Sequence, residues 1–436
     1  MSKPFSRVLC LSIAFCCASA SAYADPTDGS ASGPAPYLFG DWNGERTHLE
    51  DEGVSFSFGY HSEIAHNFTG GDKSLTRNAG QLSLGMDLDL QKLWGWQGAA
   101  FHFLVSERDG NNLSDDANLN ELMQTQQIYG RGQTWHIPHL YLTQTLLDGH
   151  LDLSLGRMSV GDEFGNNECD FMGLALCGSQ PGNLAGDYIY NQPLGQWGAV
   201  AKWNFSKNYY YKLGVYQVNP AYMETRHSLS LDPSGTTGMM IPTEFGWTPT
   251  FGSLAGTYVI GGWYSTADKK DVYTDVNGDA AGITGLDFDE RTGAYGGYFT
   301  MQQQLTNGDG ATPESGLRVF FTATQADRST TKTDHEVTAG LVERGLVPNR
   351  PLDEFGFGVA DIHVNTRYAE YEAEVEQRTG TFIPRQGNEY FAELFYSWQA
   401  TPWLKVHPDI QWVQHPGGIS TATPVRIVGL QTDIAF

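Results

Sequence analysis

Leu82-Ser83-Leu84-Gly85-Met86-Asp87-Leu88-Asp89-Leu90 alternates without a break. Leu82, Leu84, Met86, Leu88 and Leu90 fall on one side of an extended chain, and Ser83, Gly85, Asp87 and Asp89 on the other. Side chains of a strand point to opposite faces in turn, so this stretch reads as a strand with one apolar and one polar face. The pattern recurs at both ends of the chain. Val54, Phe56, Phe58 and Tyr60 oppose Ser55, Ser57, Gly59 and His61; Leu404, Val406, Pro408, Ile410 and Trp412 oppose Lys405, His407, Asp409 and Gln411. The same reading gives sixteen strands near 54–66, 79–91, 98–107, 134–147, 149–158, 196–206, 208–219, 241–250, 253–266, 292–306, 314–328, 333–346, 354–369, 387–400, 402–414 and 424–436. The weakest is 241–250, which Pro242 and Pro249 interrupt.

Composition agrees. The 436 residues include 51 Gly, 11 Trp, 21 Tyr and 23 Phe, with 17% charged residues, whereas glycine usually makes up about 7%. The net charge of −24 argues against a nucleic-acid binder, which needs a basic surface for phosphate. The aromatic content argues against disorder. No apolar run after residue 24 is long enough for a spanning helix.

The first residues read as an export signal: basic Lys3 and Arg7, apolar Val8 to Ala18, and a small-x-small site at Ala22-Tyr23-Ala24. Removing 1–24 takes two bases and no acid, moving the net charge from −24 to −26. Cys10, Cys16 and Cys17 leave with it. Cys169 and Cys177 remain, and in an exported chain they read as one disulfide. Residues 25–53 form an N-terminal segment with a short helix over Asn43–Glu52, capped by Asp41 or Asn43 and ended by Gly53.

Connections alternate between long and short. Asp148-Gly149, Ser206-Lys207-Asn208 and Thr401-Pro402 are short; 108–133, 159–195, 220–240 and 267–291 are long, and 328–333 breaks the rule by being short. Sixteen strands enclose a lumen too wide for side chains to fill, which favours polar residues inside and apolar residues outside. Trp94, Trp96, Tyr209, Trp263, Trp398 and Trp403 sit at strand ends, as interface girdles do. Phe436 closes the chain on the face of Val428, Leu430 and Ile434. The expected fold is all-β: a transmembrane antiparallel β-barrel over 54–436.

Further segments stand in order along the chain: Gly40-Asp41-Trp42-Asn43-Gly44-Glu45-Arg46, Gly156-Arg157-Met158-Ser159-Val160-Gly161-Asp162-Glu163-Phe164, Cys177-Gly178-Ser179-Gln180-Pro181-Gly182-Asn183, and Asp187-Tyr188-Ile189-Tyr190-Asn191-Gln192-Pro193. They continue with Gly214-Val215-Tyr216-Gln217-Val218-Asn219-Pro220, Asp327-Arg328, Val364-Asn365-Thr366-Arg367, Thr401-Pro402-Trp403-Leu404 and His415-Pro416-Gly417-Gly418. Together they resemble the carbohydrate-selective porin (OprB-type) family. The resemblance implies a multi-pass barrel in the outer membrane of a Gram-negative bacterium, and passive diffusion of small sugars into the periplasm. Its implied partners are sugars, outer-membrane lipid and lipopolysaccharide, and the barrel-assembly machinery through the terminal strand. It fixes neither the sugar nor the oligomeric state.

A sugar pore needs groups that bond hydroxyls in pairs, as carboxylates and guanidinium groups do, and binding weak enough to release. The connection 159–195, stiffened by Cys169–Cys177, is the expected inward-folded loop, offering Asp162, Glu163, Asp170 and Asn191. Parity along the wall adds Arg318, Arg328, Asp361, His363, Asn365 and Arg367 as lumen residues, with Arg77 and Trp197 near the mouth. No H-E-x-x-H, G-x-S-x-G or phosphate loop occurs, so neither an enzyme nor a cofactor is expected. Asp275, Asn277 and Asp279 begin like a calcium loop, but Ala280 and Leu286 stand where Gly and Glu belong. The twelve histidines are scattered and read as wall or loop residues rather than bases, and no metal site is expected. The alternatives are a general or ion-selective porin, an outer-membrane hydrolase and a secreted β-rich lectin.

Overall fold

A computed structural model describes residues 36–166, 169–308 and 315–436; the segment 1–24, expected to be an export signal, lies outside them. Among the described residues, sixteen strands form one closed antiparallel wall, each paired with its neighbours in sequence. The strand Val54–Thr69 pairs with Thr76–Asp89 on one side and with Val425–Ala435 on the other, which closes the barrel. A two-residue piece, Thr250–Phe251, only tightens the turn before Leu254–Asp275.

The wet side is inside. Along Leu404–Gln414, Ile410 and Trp412 are 53% and 51% exposed, whereas His407, Asp409 and Gln411 are buried. Leu155, Ile260, Phe357, Val359, Val428 and Leu430 likewise project outward. Glu63, Glu336, Glu389 and Glu393 are buried in the interior. Apolar side chains meet lipid and carboxylates meet the lumen, the reverse of a soluble barrel.

The proline-interrupted strand expected near 241–250 runs over Gly238–Trp247. Pro242 pairs with Trp263, while the ladder to Tyr209–Val218 skips Ile241 and Pro242, where the donor is missing. Two strands outrun expectation. Leu254–Asp275 and Phe288–Gln304 continue upward through two register shifts, so the loop there is only 276–287. The strand expected over 354–369 is shorter: Glu354–Val364 stops, and Asn365 caps the helix Thr366–Thr379. The short connection at 327–332 is a tight turn.

The N-terminal helix is Glu45–Glu52, ended by Gly53 in the left-handed conformation (φ 101°) that glycine tolerates best. Asp41 Oδ1 accepts from Thr47 N and Oγ1, both at 2.9 Å.

Candidate functional site

Two long loops fold into the lumen. The loop 111–134 brings Leu113, Ala117, Leu119 and Met123, and the loop 159–195 brings Phe171, Met172, Ala175 and Leu176, against inward-facing Phe320, Val342, Ile362, Phe391, Phe395, Val413 and Ile427. The other limb of 159–195 sets Val160, Phe164, Tyr188 and Ile189 against Val200, Tyr216, Met240, Trp263 and Tyr298. This loop therefore packs on two different arcs of the wall. Burial of its apolar side chains drives it inward.

Wall carboxylates hold the backbones of these loops. Glu393 accepts from Met172 N at 2.8 Å and Gly173 N at 2.9 Å. Glu389 accepts from Leu122 N at 2.9 Å and Gly417 N at 2.8 Å. Glu63 accepts from Ile128 N at 3.3 Å. A loop inside a barrel has backbone donors with no strand to meet, and these carboxylates supply the acceptors. Within 111–134, burial pushes the Glu121 carboxyl up to about 7, partly offset by hydrogen bonds from Ser114 and Thr125. Cys169 and Cys177 are joined as a disulfide.

The expected pore residues separate into two groups. Asp170 meets Arg318 at 3.1 Å. Glu163 meets Lys212 at 3.5 Å, and Lys212 also lies 3.3 Å from Glu244. Asp162 bonds His139 at 2.7 Å and Gln192 at 3.0 Å. Asn191 ties the loop to itself through Ser179 O and Asn183. Arg77 faces Asp116 of the other inward loop. These residues line or brace the lumen. Near the end that carries the termini, Glu354 joins Arg344 at 3.2 Å and Lys405 at 3.4 Å, and His61 joins Asp433 at 2.5 Å. With Asp170–Arg318 they form mixed-charge pairs below the loop.

The remaining residues lie elsewhere. In Glu354–Val364, Ile362 and Val364 are buried inside and Phe357 and Val359 exposed outside, so Asp361 and His363 face outward. The parity reading inverts here because the inward loops make the upper lumen apolar. Arg328 belongs to the external turn and pairs with Asp334 at 3.0 Å. Asn365 is buried and donates to Arg328 O and Thr331 O, both at 2.7 Å. Arg367 opens the helix and reaches Asp271 at 2.8 Å. Trp197 shares its outward face with exposed Leu155, and its Nε1 donates to Leu231 O at 3.1 Å, under the connection 219–237. Asp275 spends its carboxylate on Asn277 N, Asp279 N and Thr284 Oγ1 rather than on an open loop.

Glu63, Arg108, Lys212, Glu244, Glu389 and Glu393 also face the lumen without having been expected there, and Lys405, expected only on a polar face, joins them. Arg108 is buried in the lumen and donates to Gln81 Oε1 at 2.7 Å. The signal was present: Glu389 and Glu393 alternate with outward Tyr390, Ala392 and Leu394. An acid on the polar face of a barrel strand is a lumen acid.

A closed barrel with an apolar exterior, a charged lumen and inward loops is a channel of the outer membrane, a porin. Residues 73–436 match the carbohydrate-selective porin, OprB family. The chain is 38% identical to Porin B of Pseudomonas aeruginosa over 417 residues, covering 92% of this chain and 91% of that one. It is 33% identical to the putative porin QuiX of Acinetobacter baylyi, covering 92% and 93%. A solved high-pH structure of Pseudomonas putida OprB superposes with a TM-score of 0.90 at 37% identity, over 93% of this chain and all of that one. The chain belongs to the OprB family of carbohydrate-selective porins and is an outer-membrane porin of a Gram-negative bacterium.

Proposed function

We propose that small sugars pass down the channel between the loop 159–195 and the wall, and that Asp170 and Arg318 mark its selective point. The observation that carries this reading is their 3.1 Å contact, which joins the loop to the wall with both side chains still partly exposed. A carboxylate beside a guanidinium offers acceptors and donors to neighbouring sugar hydroxyls. The nearby Glu354–Arg344–Lys405 group repeats that pattern, so a sugar moves between similar partners without deep binding. Transport is passive and needs no cofactor. The strand Val425–Ala435, with outward Val428 and Leu430 ahead of Phe436, serves as the segment by which the assembly machinery engages the chain.

Single-channel recording over a panel of sugars tests the selective point. Arg318→Ala weakens sugar block about tenfold or more, because a charged hydrogen bond contributes roughly 1.5–3 kcal/mol. Arg328→Ala and Arg367→Ala leave block unchanged. Ion conductance without block by any sugar in the unaltered protein would favour a general porin instead.

A further inference from the structure

His335 and His363 are direct partners across the strands Thr333–Arg344 and Glu354–Val364. Their rings stack with centroids 4.4 Å apart and planes 15° from parallel. The register shifts between Thr333 and His335. Such a bulge re-aims a side chain, and here Asp334 joins its neighbour His335 on one side of the sheet. Asp334 Oδ1 lies 2.6 Å from His363 Nδ1 and 3.2 Å from His335 Nδ1. One oxygen and two ring nitrogens thus converge, all within 4.8 Å of one another.

The surroundings hold Asp334 in a fixed orientation. Arg328 Nε holds the other carboxylate oxygen at 3.0 Å, and the backbone oxygen of Asp334 accepts from Gln325 Nε2 at 2.8 Å. Outer partners of this kind fix a ligating carboxylate in one orientation. The location is neither lumen nor lipid. Below the pair on the outer face stand Val337 and Val359 of the apolar band; Asp361, bonded to Asn388 at 2.6 Å, marks where that band ends. Both histidines are partly exposed, above this level, on the face turned to the external medium.

We propose that Asp334, His335 and His363 form an external binding site for a divalent transition-metal ion, with zinc as the type case. Two imidazole nitrogens and one carboxylate oxygen are a zinc, copper or nickel set; calcium and magnesium prefer oxygen throughout. Zinc sits about 2.0–2.2 Å from such ligands. The rings turn out of their stack to aim both Nδ1 lone pairs at the ion, and the 2.6 Å contact opens slightly. A fourth position stays open to water or an external ligand. The ion bolts two strands together beside the turn 327–332, so binding stabilises that corner by mass action.

The test is calorimetric titration of zinc chloride into the full-length mature protein in detergent, carrying no histidine tag. One saturable site is expected. His335→Gln and His363→Gln each weaken it at least tenfold, and the double variant shows no binding. Asp361→Asn, on the same rim but outside the cluster, binds zinc like the parent. Copper(II) added to the parent gives an electron-resonance spectrum split by nitrogen nuclei, a readout independent of any variant. Absence of a saturable zinc site, zinc binding unchanged in the double variant, or a copper spectrum without nitrogen coupling overturns the proposal.

Discussion

The guanidinium of Arg46 donates to the backbone oxygen of Phe436 at 2.9 Å, joining residues 390 positions apart. The same group donates to Phe56 O at 3.1 Å and lies over the rings of Tyr37 and Trp42. Phe39 stacks on Phe436 with centroids 5.5 Å apart. The short N-terminal helix thus clasps the seam where the first and last strands meet.

Arg46→Ala therefore loosens the closed seam. It removes charged hydrogen bonds from a buried group, at about 1.5–3 kcal/mol each. The unfolding midpoint in detergent falls, read by the temperature at which the compact band on a semi-native gel shifts. Arg46→Lys recovers only part of the loss, because an ammonium cannot hold both carbonyls and lie flat on the rings.

Parity governs tolerance along Thr76–Asp89. Leu84 faces out and Asp87 faces in, where it bonds His102 at 2.6 Å. Leu84→Arg costs about 2–4 kcal/mol near the bilayer middle and reduces assembled protein in the outer membrane. Asp87→Asn assembles at the parental level. Equal yields of the two variants would contradict the orientation of this strand.

Glu393 is a positioning residue for the long loop. In Glu393→Ala the amides of Met172 and Gly173 lose their acceptor inside the barrel, at about 1–3 kcal/mol for each buried donor left unmet. The barrel persists, since its wall is held by its own ladder. Open-channel noise rises and sugar block becomes weaker and more variable. Glu393→Gln, which keeps an accepting oxygen, lies between the two.

The loop 111–134 carries a pH dependence through Glu121, whose carboxyl burial raises to about 7. A raised acid binds more protons in the folded loop than in an opened one, so the loop is tightest in acid. Stability is lost as pH climbs from about 4.5 to about 7, then levels off. Amide exchange within 111–134, corrected for intrinsic rate, speeds up across that window by at most about tenfold per unit. Glu121→Gln removes the dependence; a flat profile in the parent contradicts it.

Much of this protein is written in period two. The alternation in 82–90 and 404–412, with alternating loop lengths, is enough to place sixteen strands and to choose which face meets lipid, because a wide barrel cannot fill its own interior. Cys169 and Cys177, the longest connection and the acids on it were legible for the same reason: they are local in the chain. Parity also found Arg318: Val319 and Phe321 face out and Arg318 faces in, although Phe320 on the same inward face is apolar and packs on the loop.

The rule fails at Ile362 and His363, and only the tertiary structure shows why. Alternation reports two environments but not their identity. Midway along the wall the outside is lipid and the inside wet. Higher up, 111–134 and 159–195 fill the lumen with Leu119, Phe171 and Leu176, while the outside rises out of the membrane. Apolar residues then belong inside and polar ones outside, so Asp361 and His363 change sides relative to expectation without any break in their strand. The role of Glu389 and Glu393 has the same origin. Their carboxylates are local features of one strand, but the amides of Leu122, Met172 and Gly173 that they hold come from loops more than 200 residues away. No periodicity within one segment encodes that meeting; it exists only once the barrel has closed and the loops have folded inward.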